Sequence, residues 1–153
     1  MGKVVITYGT FDLLHVGHVR LLRRLKALGD TLIVGVSTDA FNTQKGKVSI
    51  YPFEERCEII KSIRFVDKVI PEETWDQKAN DVKQYNVDIL AMGDDWAGKF
   101  DMLSSDVEIV YLPRTEGIST TDIRTVISRV EEDKLLALEC AIDQVSRLAK
   151  KLR

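Results

Sequence analysis

Short apolar runs alternate with segments of helical periodicity over most of this chain. The runs that predict β-strands are residues 3–8, 31–37, 66–70, 87–92 and 107–112. Helical patterns fill the intervals at about residues 18–29, 52–64 and 76–85. Strands that are apolar on both faces and separated by helices are typical of a parallel sheet covered on both sides. The pattern therefore predicts an α/β fold, a doubly wound parallel sheet of about five strands with flanking helices.

The pattern changes after residue 112. Residues 113–122 are rich in hydroxyl side chains and predict a loop that leads into a helix, capped by Ser119, Thr120 or Thr121. Helical periodicity then continues to the end of the sequence. We expect a domain at residues 1–130 and a C-terminal helical extension at residues 131–153.

The extension carries apolar residues in alternating steps of three and four, at Leu135, Leu138, Ile142, Val145, Ala149 and Leu152. Such a seam is short for a coiled coil, which is firmly indicated only over ~3–4 heptads. Two alternatives stay open: a helix that packs on its own domain, and a helix that pairs with a second copy of the chain.

Composition narrows the class of protein. The chain has 153 residues, 44% of them hydrophobic and 30% charged, with a formal net charge of −2. These values are ordinary for one globular domain and give no reason to expect a nucleic-acid partner. No apolar run approaches the ~18–20 residues of a membrane span, and because the sequence moves straight into a strand we expect no signal peptide. We predict that Cys57 and Cys140 are small, buried apolar residues in a reducing compartment. We therefore expect a cytoplasmic protein without membrane insertion.

The two histidines of the chain stand three residues apart, as His15-Val-Gly-His18, directly after the first predicted strand. Gly17 between them leaves the backbone uncovered where something must approach closely. Because a helix follows, both imidazoles are expected at a strand-to-helix turn, over backbone N–H groups that favour anions. The alternative is that one histidine caps the helix and the other is merely exposed.

Polar side chains follow the other strands as well, and the carboxyl ends of parallel strands meet at one edge of a sheet. Imidazoles, ammonium groups, a guanidinium and helix-start amides at one edge are suited to a polyphosphate. Neither a Walker-A pattern nor Gly-x-Gly-x-x-Gly is present, which disfavours a P-loop kinase and a dinucleotide oxidoreductase. The side chains are Thr10, Asp12, His15 and His18 after the first strand, Lys45 and Lys47 after the second, Asp94 and Asp95 after the fourth, and Arg114 to Thr121 after the fifth.

Each of these groups also has an ordinary structural interpretation. Lysines in a polar loop are commonly solvated, paired aspartates form turns, and hydroxyl side chains cap helices. Arg56 and Arg64, within the helix predicted at 52–64, are expected as surface charges. Trp75 and Lys78 could be a packed indole and a solvated amine.

Two motifs carry a family resemblance. Residues 9–18, Gly-Thr-Phe-Asp-Leu-Leu-His-Val-Gly-His, and residues 114–121, Arg-Thr-Glu-Gly-Ile-Ser-Thr-Thr, resemble the cytidylyltransferases of the HxGH nucleotidyltransferase superfamily. Intermediate stretches at 37–42, 64–67, 69–72 and 92–96 are similar to the glycerol 3-phosphate branch of that family. The likeness covers about residues 3–128.

The resemblance implies a Rossmann-like fold and a reaction in which CMP passes from CTP to sn-glycerol 3-phosphate, a small phosphorylated polyol. The products are CDP-glycerol, used in cell-wall or surface-glycan synthesis, and pyrophosphate. Mg²⁺ would accompany the triphosphate. Members of the family commonly form homodimers. No residue is assigned as a metal ligand.

The resemblance also assigns roles to individual residues. The catalytic group would be His15, His18 and Arg114. The nucleotide-binding group would add Thr10, Phe11, Lys47, Asp95, Thr115, Glu116, Gly117, Ile118, Ser119, Thr120 and Thr121. The acceptor-binding group would be Lys45, Lys78, Arg64, Asp67, Trp75 and Asp12.

Other functions compete with this one. A cytidylyltransferase for another phosphorylated polyol or for phosphoethanolamine would use the same motifs, and Val16, where close relatives often carry an aromatic residue, leaves the acceptor open. A catalytically silent nucleotide-binding scaffold is the non-enzyme alternative. Loss of a histidine or of Arg114 would be expected in such a scaffold, and the chain retains all three.

Overall fold

The computed structural model describes residues 2–151, with side chains to residue 147. Five strands and five helices alternate along the chain. The strands are β1 (Val4–Gly9), β2 (Thr31–Ser37), β3 (Lys68–Glu72), β4 (Ile89–Gly93) and β5 (Glu108–Leu112). The helices are α1 (Val16–Lys26), α2 (Asp39–Gln44), α3 (Phe53–Lys61), α4 (Gln77–Gln84) and α5 (Thr120–Lys151). Two short 3-10 helices, Asp94–Trp96 and Asp101–Leu103, lie between β4 and β5.

The five strands form one parallel sheet in the order β3-β2-β1-β4-β5. The predicted doubly wound fold is confirmed. The direction of winding reverses between β1 and β4, which is where ligands bind in folds of this kind. We call the side of the sheet at which the strands end the carboxyl edge; it is formed by Gly9, Ser37, Glu72, Gly93 and Leu112.

Both faces of the sheet are buried, which explains the continuous apolar strands. Val5 and Val34 belong to a core on one face, together with Leu22 and Leu25 of α1. Ile6 and Ile33, their neighbours in β1 and β2, belong to a core on the other face. Successive strand residues point to opposite faces, so a strand covered on both sides has no polar positions to alternate with.

Some elements differ from the sequence predictions. Helix α1 begins at Val16 rather than residue 18, because His15 caps it. Helix α2 was not predicted, since its six residues are too few to show a helical period, although Thr38 caps it through a bond from the Phe41 N–H. Cys57 is buried as expected, but Cys140 is exposed on α5.

The chain forms two compact units that divide after Ile118. The second unit consists mainly of α5, which passes through residue 130 without a break. The predicted domain boundary at that residue stays a prediction. Leu152 and Arg153, the end of the predicted extension, lie outside the described residues. Within the described part of the chain, no helix combines the length and apolarity needed to cross a membrane.

Arg56 of α3 corrects one sequence expectation, because it is fully buried rather than a surface charge. Its guanidinium donates to the carbonyl oxygens of Thr10 (2.7 Å), Ser37 (2.8 Å) and Tyr51 (3.0 Å). It also forms an ion pair with Asp39 at 2.7 Å. The first two carbonyls follow β1 and end β2, so one side chain joins the two strands at the carboxyl edge.

Replacement of Arg56 should therefore destabilise the fold. In Arg56→Met, the carbonyls of Thr10, Ser37 and Tyr51 each lose a donor, and each buried group left unsatisfied costs about 1–3 kcal/mol. We expect the free energy of unfolding, measured by urea denaturation, to fall by about 3 kcal/mol or more. Arg64→Met is the matched control, because that arginine is exposed and should change stability by about 0.5 kcal/mol or less. Equal, small effects of both variants would contradict this assignment.

Candidate active site

The turn between β1 and α1 is held in an unusual backbone conformation. Phe11 and Leu13 have positive φ angles of 53° and 47°, which side chains other than glycine seldom adopt. Asp12, between them, is buried, and its carboxylate accepts the N–H groups of Ile50 (2.8 Å) and Tyr51 (3.0 Å). The predicted acceptor ligand Asp12 thus has both carboxylate oxygens engaged by backbone and fixes the turn to the loop that follows α2.

The two histidines form a stacked pair at the start of α1. Their ring centroids are 3.9 Å apart, with an angle of 27° between the planes. The Nδ1 atom of His15 accepts the Gly17 N–H (3.1 Å), and the Nδ1 atom of His18 accepts the His15 N–H (3.2 Å). Because each Nδ1 is an acceptor, the proton of each neutral ring is placed on Nε2. His15 is the helix cap of the sequence alternative, but His18 is half-buried rather than merely exposed.

The environment of His18 keeps its ring uncharged. Its pKa is lowered to about 4, mainly by burial and also by the neighbouring His15, while Asp12 opposes both effects. The edge of Phe11 faces the same ring, with centroids 5.7 Å apart. At neutral pH the His18 ring therefore presents an Nε2–H donor without a net charge.

Glycine is required at position 17 for a different reason from the one predicted. A Cβ atom at this position would lie 2.7 Å from the His15 ring and 3.1 Å from the side chain of Ile118. Such contacts are too close, so only glycine lets the capping ring and the loop after β5 pack here. The small residue in the motif makes room for the histidine itself.

A second cluster of charged side chains lies at the ends of β2 and β3. Glu72, the last residue of β3, is buried, and its Oε1 accepts from the Nζ of Lys78 at 2.5 Å. Its Oε2 lies 3.6 Å from the Nζ of Lys45 and accepts from the Ser37 hydroxyl. Lys45 also donates to that hydroxyl at 2.8 Å. The two lysines predicted for the acceptor are thus brought together, around a carboxylate that the sequence analysis did not single out. We call Ser37, Lys45, Glu72 and Lys78 the lysine cluster.

Aromatic rings enclose the lysine cluster. The Nζ of Lys78 lies 4.4 Å from the ring centre of Tyr8 and 5.1 Å from that of Trp75. The Nζ of Lys45 lies 4.3 Å from the ring centre of Phe41. Trp75 is 44% exposed and contacts Trp96 at 5.2 Å between ring centres. These rings exclude water from most of the cluster and leave one side chain, Trp75, at the surface.

The loop after β5 packs over the start of α1. Arg24 donates to the carbonyl of Pro113 (2.9 Å), and the Thr115 hydroxyl donates to the carbonyl of Gly17 (3.4 Å). Arg114 is exposed, and its Nε lies 3.4 Å from the Asp95 carboxylate at the end of β4. Glu116 and Gly117 are exposed, and Gly117 has a φ of 81°, which favours glycine. The loop thus places Arg114 beside Asp95 and Thr115 beside the histidine turn.

The remaining nucleotide candidates near β1 belong to a short network. The Thr10 hydroxyl donates to the side chain of Asn42 (2.9 Å), which in turn donates to the Ser49 hydroxyl (2.9 Å). The Lys47 N–H donates to the Asn42 carbonyl at 2.8 Å, and the Lys47 side chain is exposed. Asn42 thus fixes the loop that carries Lys47 to the end of β1.

Not every predicted site residue reaches the carboxyl edge. Arg64 and Asp67 precede β3 and therefore lie at its opposite end. The Asp67 carboxylate pairs with Lys26 at 2.5 Å and accepts the Leu32 N–H at 2.7 Å. Within one chain, the fold therefore gives no support to the predicted contact of Arg64 and Asp67 with the acceptor.

Ser119, Thr120 and Thr121 belong to the second unit. The Ser119 hydroxyl accepts the Asp122 N–H (3.1 Å) and donates to its carboxylate (2.7 Å), which makes Ser119 the cap among the three candidates. The predicted contacts of these hydroxyl residues with the nucleotide stay predictions.

Sequence analysis missed Glu72 and Asn42, which organise the two halves of the site. The predicted third strand ended at residue 70, whereas β3 continues to Glu72. A glutamate in the last position of a buried parallel strand is the signal that could have found it, since that position faces the carboxyl edge.

The uncharged state of His18 can be tested directly. Because burial and His15 lower its pKa to about 4, an NMR titration should show a midpoint below pH 5 for this ring. The ¹⁵N shifts at pH 7 should show the proton on Nε2. A His15→Gln variant assigns the signals, since the chain has only two histidines. A midpoint near the ordinary value of about 6.5 would contradict the described environment.

Comparison with known proteins places this site in a family. The cytidylyltransferase-like family model matches residues 6–126. The glycerol-3-phosphate cytidylyltransferase of Bacillus subtilis (strain 168) is 58% identical over 126 residues, which cover 82% of this chain and 98% of that protein. The enzyme of the same name from Staphylococcus aureus (strain NCTC 8325 / PS 47) is 57% identical over 122 residues, which cover 80% of this chain and 92% of that protein.

A solved structure shares the fold. The lipopolysaccharide core biosynthesis protein from Thermoplasma volcanium GSS1 is similar with a TM-score of 0.68 and 28% identity, covering 76% of this chain and 100% of that one. The family model spans most of the sequence, including the histidine turn, the lysine cluster and the loop after β5. This chain belongs to the cytidylyltransferase-like family.

Proposed function

We propose that this chain transfers CMP from CTP to sn-glycerol 3-phosphate, giving CDP-glycerol and pyrophosphate. The observation that carries the proposal is the presence of two anion sites on one sheet edge, the histidine pair after β1 and the lysine cluster after β2 and β3. The chain that carries them is 57–58% identical to enzymes named for this reaction.

The reaction needs no nucleophile from the protein. An oxygen of the acceptor phosphate attacks the α-phosphorus of CTP in line, and the bond from that phosphorus to the pyrophosphate oxygen breaks. The attacking oxygen is already deprotonated, so no base is required. The chain contributes by orienting the two substrates and by stabilising the charge that develops on the transferred group.

The histidine pair suits the triphosphate. With each Nδ1 occupied by a backbone N–H, Nε2–H is the atom of each ring that would donate to phosphate oxygens. His15 and His18 would hold the reacting phosphate, with Arg114 and Lys47 neutralising its negative charge. Thr10, Phe11, Asp95 and the segment 115–121 would line the rest of the nucleotide site.

The lysine cluster suits the acceptor. Two like charges 4 Å apart repel by about 4 kcal/mol at an effective dielectric constant of 20. A phosphate dianion beside a triphosphate therefore needs several cations. Lys45 and Lys78 are close together and mostly shielded from water, which strengthens their attraction for a phosphate. A neutral acceptor would not need them. Trp75 would cover the acceptor from the solvent side.

Mg²⁺ would enter as part of the CTP complex, because this ion favours phosphate oxygens and water as ligands. It would neutralise part of the charge on the departing pyrophosphate. We place the protein in the cytoplasm, where its two unpaired cysteines would stay reduced.

We further propose that the chain forms a homodimer through α5. The residues at seam positions, Leu135, Leu138, Ile142 and Val145, are 57–66% exposed. In a parallel pair of α5 helices that meet along these positions, Lys134 of one copy lies opposite Glu139 of the other. This offset of five residues is the spacing of favourable charge pairs in coiled coils. The family model ends at residue 126, so this pairing would be added to the common domain.

Pyrophosphate release tests the proposed reaction. With CTP, Mg²⁺ and sn-glycerol 3-phosphate we expect rapid release, and little with ATP, phosphoethanolamine or other phosphorylated polyols. His18→Ala should reduce kcat by about 10²- to 10³-fold, the usual loss when a transition-state donor is removed. Pyrophosphate release only with a different acceptor would show that sn-glycerol 3-phosphate is not the substrate. No release with any acceptor, from a protein that still binds CTP, would favour the nucleotide-binding scaffold.

The two lysines of the loop after β2 should separate the substrates. Lys45→Ala should raise the KM for the acceptor by about tenfold or more, the cost of one lost bond from a charged donor, and change the KM for CTP little. Lys47→Ala should do the reverse. Equal effects on both substrates in either variant would contradict the assignment. Steady-state kinetics with each substrate varied in turn gives both values.

The α5 pairing has a matched test. Leu138→Glu places a charge in the seam, whereas Leu136→Glu places the same charge on an equally exposed leucine outside it; the two leucines are 57% and 61% exposed. By light scattering over a range of concentrations, the first variant should weaken the dimer at least tenfold and the second should not. A dimer that neither variant affects would exclude pairing through this seam.

A further inference from the structure

The lysine cluster contains a feature that acceptor binding alone does not explain, a buried carboxylate between the two cations. Glu72 is 2% exposed and Lys78 is 1% exposed. The carboxylate takes a different partner on each oxygen, Lys78 on Oε1 and Ser37 with Lys45 on Oε2. A carboxylate at an anion site repels the anion, so its presence there calls for a reason.

The reason lies in the burial of the ammonium groups. Removing a charged amine from water favours its neutral form, and a second amine nearby adds to this effect. Burial is the main cause of the lowered pKa of Lys45, and Lys47 and Lys78 lower it further, whereas Glu72 raises it. Without the carboxylate, the Lys45 amine would therefore hold its proton less firmly.

The geometry also fixes where the amines stand. Ser37 ends β2, Lys45 follows α2, Glu72 ends β3 and Lys78 lies in α4, so the cluster joins four elements. The Thr38 N–H donates to the Glu72 carbonyl at 2.9 Å, which holds the glutamate by its backbone as well. Each Nζ has three N–H donors; Lys78 directs one to Glu72, and Lys45 directs one to Ser37 and another towards Glu72.

We infer that Glu72 is the positioning residue of the acceptor site: it keeps Lys45 protonated and aims Lys45 and Lys78 at one phosphate group. This inference rests on the proposed function. One carboxylate and two ammonium groups leave a net charge of +1, so the cluster still attracts a phosphomonoester dianion. Other charged or titratable groups that face the lysines are Lys47 from the loop after α2 and Tyr8 from β1. The Tyr8 hydroxyl is bonded to Asp81 of α4 at 2.8 Å.

Glu72→Gln tests the inference, because it keeps the shape and removes the charge. The KM for sn-glycerol 3-phosphate should rise at least tenfold, with the KM for CTP within twofold. The pH at which kcat/KM for the acceptor declines on the alkaline side should fall by at least one unit, since Lys45 then loses its proton at a lower pH. Glu72→Asp, which keeps the charge, should restore the alkaline limit even where the shorter side chain raises KM. A merely structural role would not move this limit.

Glu73→Gln is the matched control. It removes the same charge from the adjacent, exposed residue and should change neither KM nor the alkaline limit. Loss of the thermal transition and of CTP binding would show that Glu72→Gln does not fold. In that case Ser37→Ala tests the inference. That variant keeps every charge but removes the hydroxyl that joins Lys45 to Glu72, and it should raise the KM for the acceptor at least threefold. An unchanged acceptor KM and alkaline limit in the folded variant would overturn the inference.

The inference can fail separately from the proposed function. If the wild-type chain uses another phosphorylated acceptor, the proposed substrate is wrong, but Glu72→Gln should still raise the KM for that acceptor. If the chain releases no pyrophosphate with any acceptor, calorimetry with sn-glycerol 3-phosphate decides. Binding to the wild type that is at least tenfold weaker in Glu72→Gln supports the inference, and equal binding or none to the wild type overturns it.

Discussion

The guanidinium of Arg56 fixes the backbone at the ends of β1 and β2, where the functional side chains begin. It is fully buried and joins the carbonyls of Thr10 and Ser37 at the carboxyl edge. The histidine turn begins directly after the first carbonyl, and the second belongs to the residue that bonds both Lys45 and Glu72. The two anion sites are therefore positioned by one interaction as well as by the pairing of β1 with β2. A buried cation bonded to three carbonyl oxygens and the Asp39 carboxylate is suited to this task, because each lost bond would leave a polar group unsatisfied.

The two proposed anion sites, the histidine pair and the lysine cluster, use burial in opposite ways. At the histidine turn, burial keeps His18 neutral, so that it donates a hydrogen bond without adding a fixed charge. In the lysine cluster, burial by itself would also favour a neutral Lys45 amine, but the Glu72 carboxylate opposes it. The chain thus supplies a neutral donor, His18, beside the cations Arg114 and Lys47 where the triphosphate would react, and ammonium groups held by a carboxylate where the acceptor phosphate would bind. Transfer between two highly charged substrates depends on this division, since catalysis here is positioning and electrostatic stabilisation.

The sequence was sufficient for the sheet, the helix that follows the histidines and the two motifs, because these depend on local periodicity and spacing. It was insufficient for Arg56 and Glu72. Each is a charged residue in an amphipathic or strand-end position, where exposure is the usual outcome, and only the tertiary fold supplies the carbonyls and lysines that bury them. The short helix α2 was not predicted, because its six residues are too few to show a repeating helical pattern. Arg64 and Asp67 came from a family likeness, and a likeness carries no information about which edge of the sheet a residue occupies.

The central claim is that the histidine pair and the lysine cluster divide the two substrates between them. A crystal structure of the chain with CDP-glycerol tests this most directly, because the two phosphates of the product derive from different substrates. We expect the cytidine-side phosphate within about 3.2 Å of an Nε2 atom of His15 or His18, and the glycerol-side phosphate within the same distance of the Nζ of Lys45. A glycerol-side phosphate remote from both Lys45 and Lys78, or a cytidine-side phosphate that neither histidine contacts, would contradict the account.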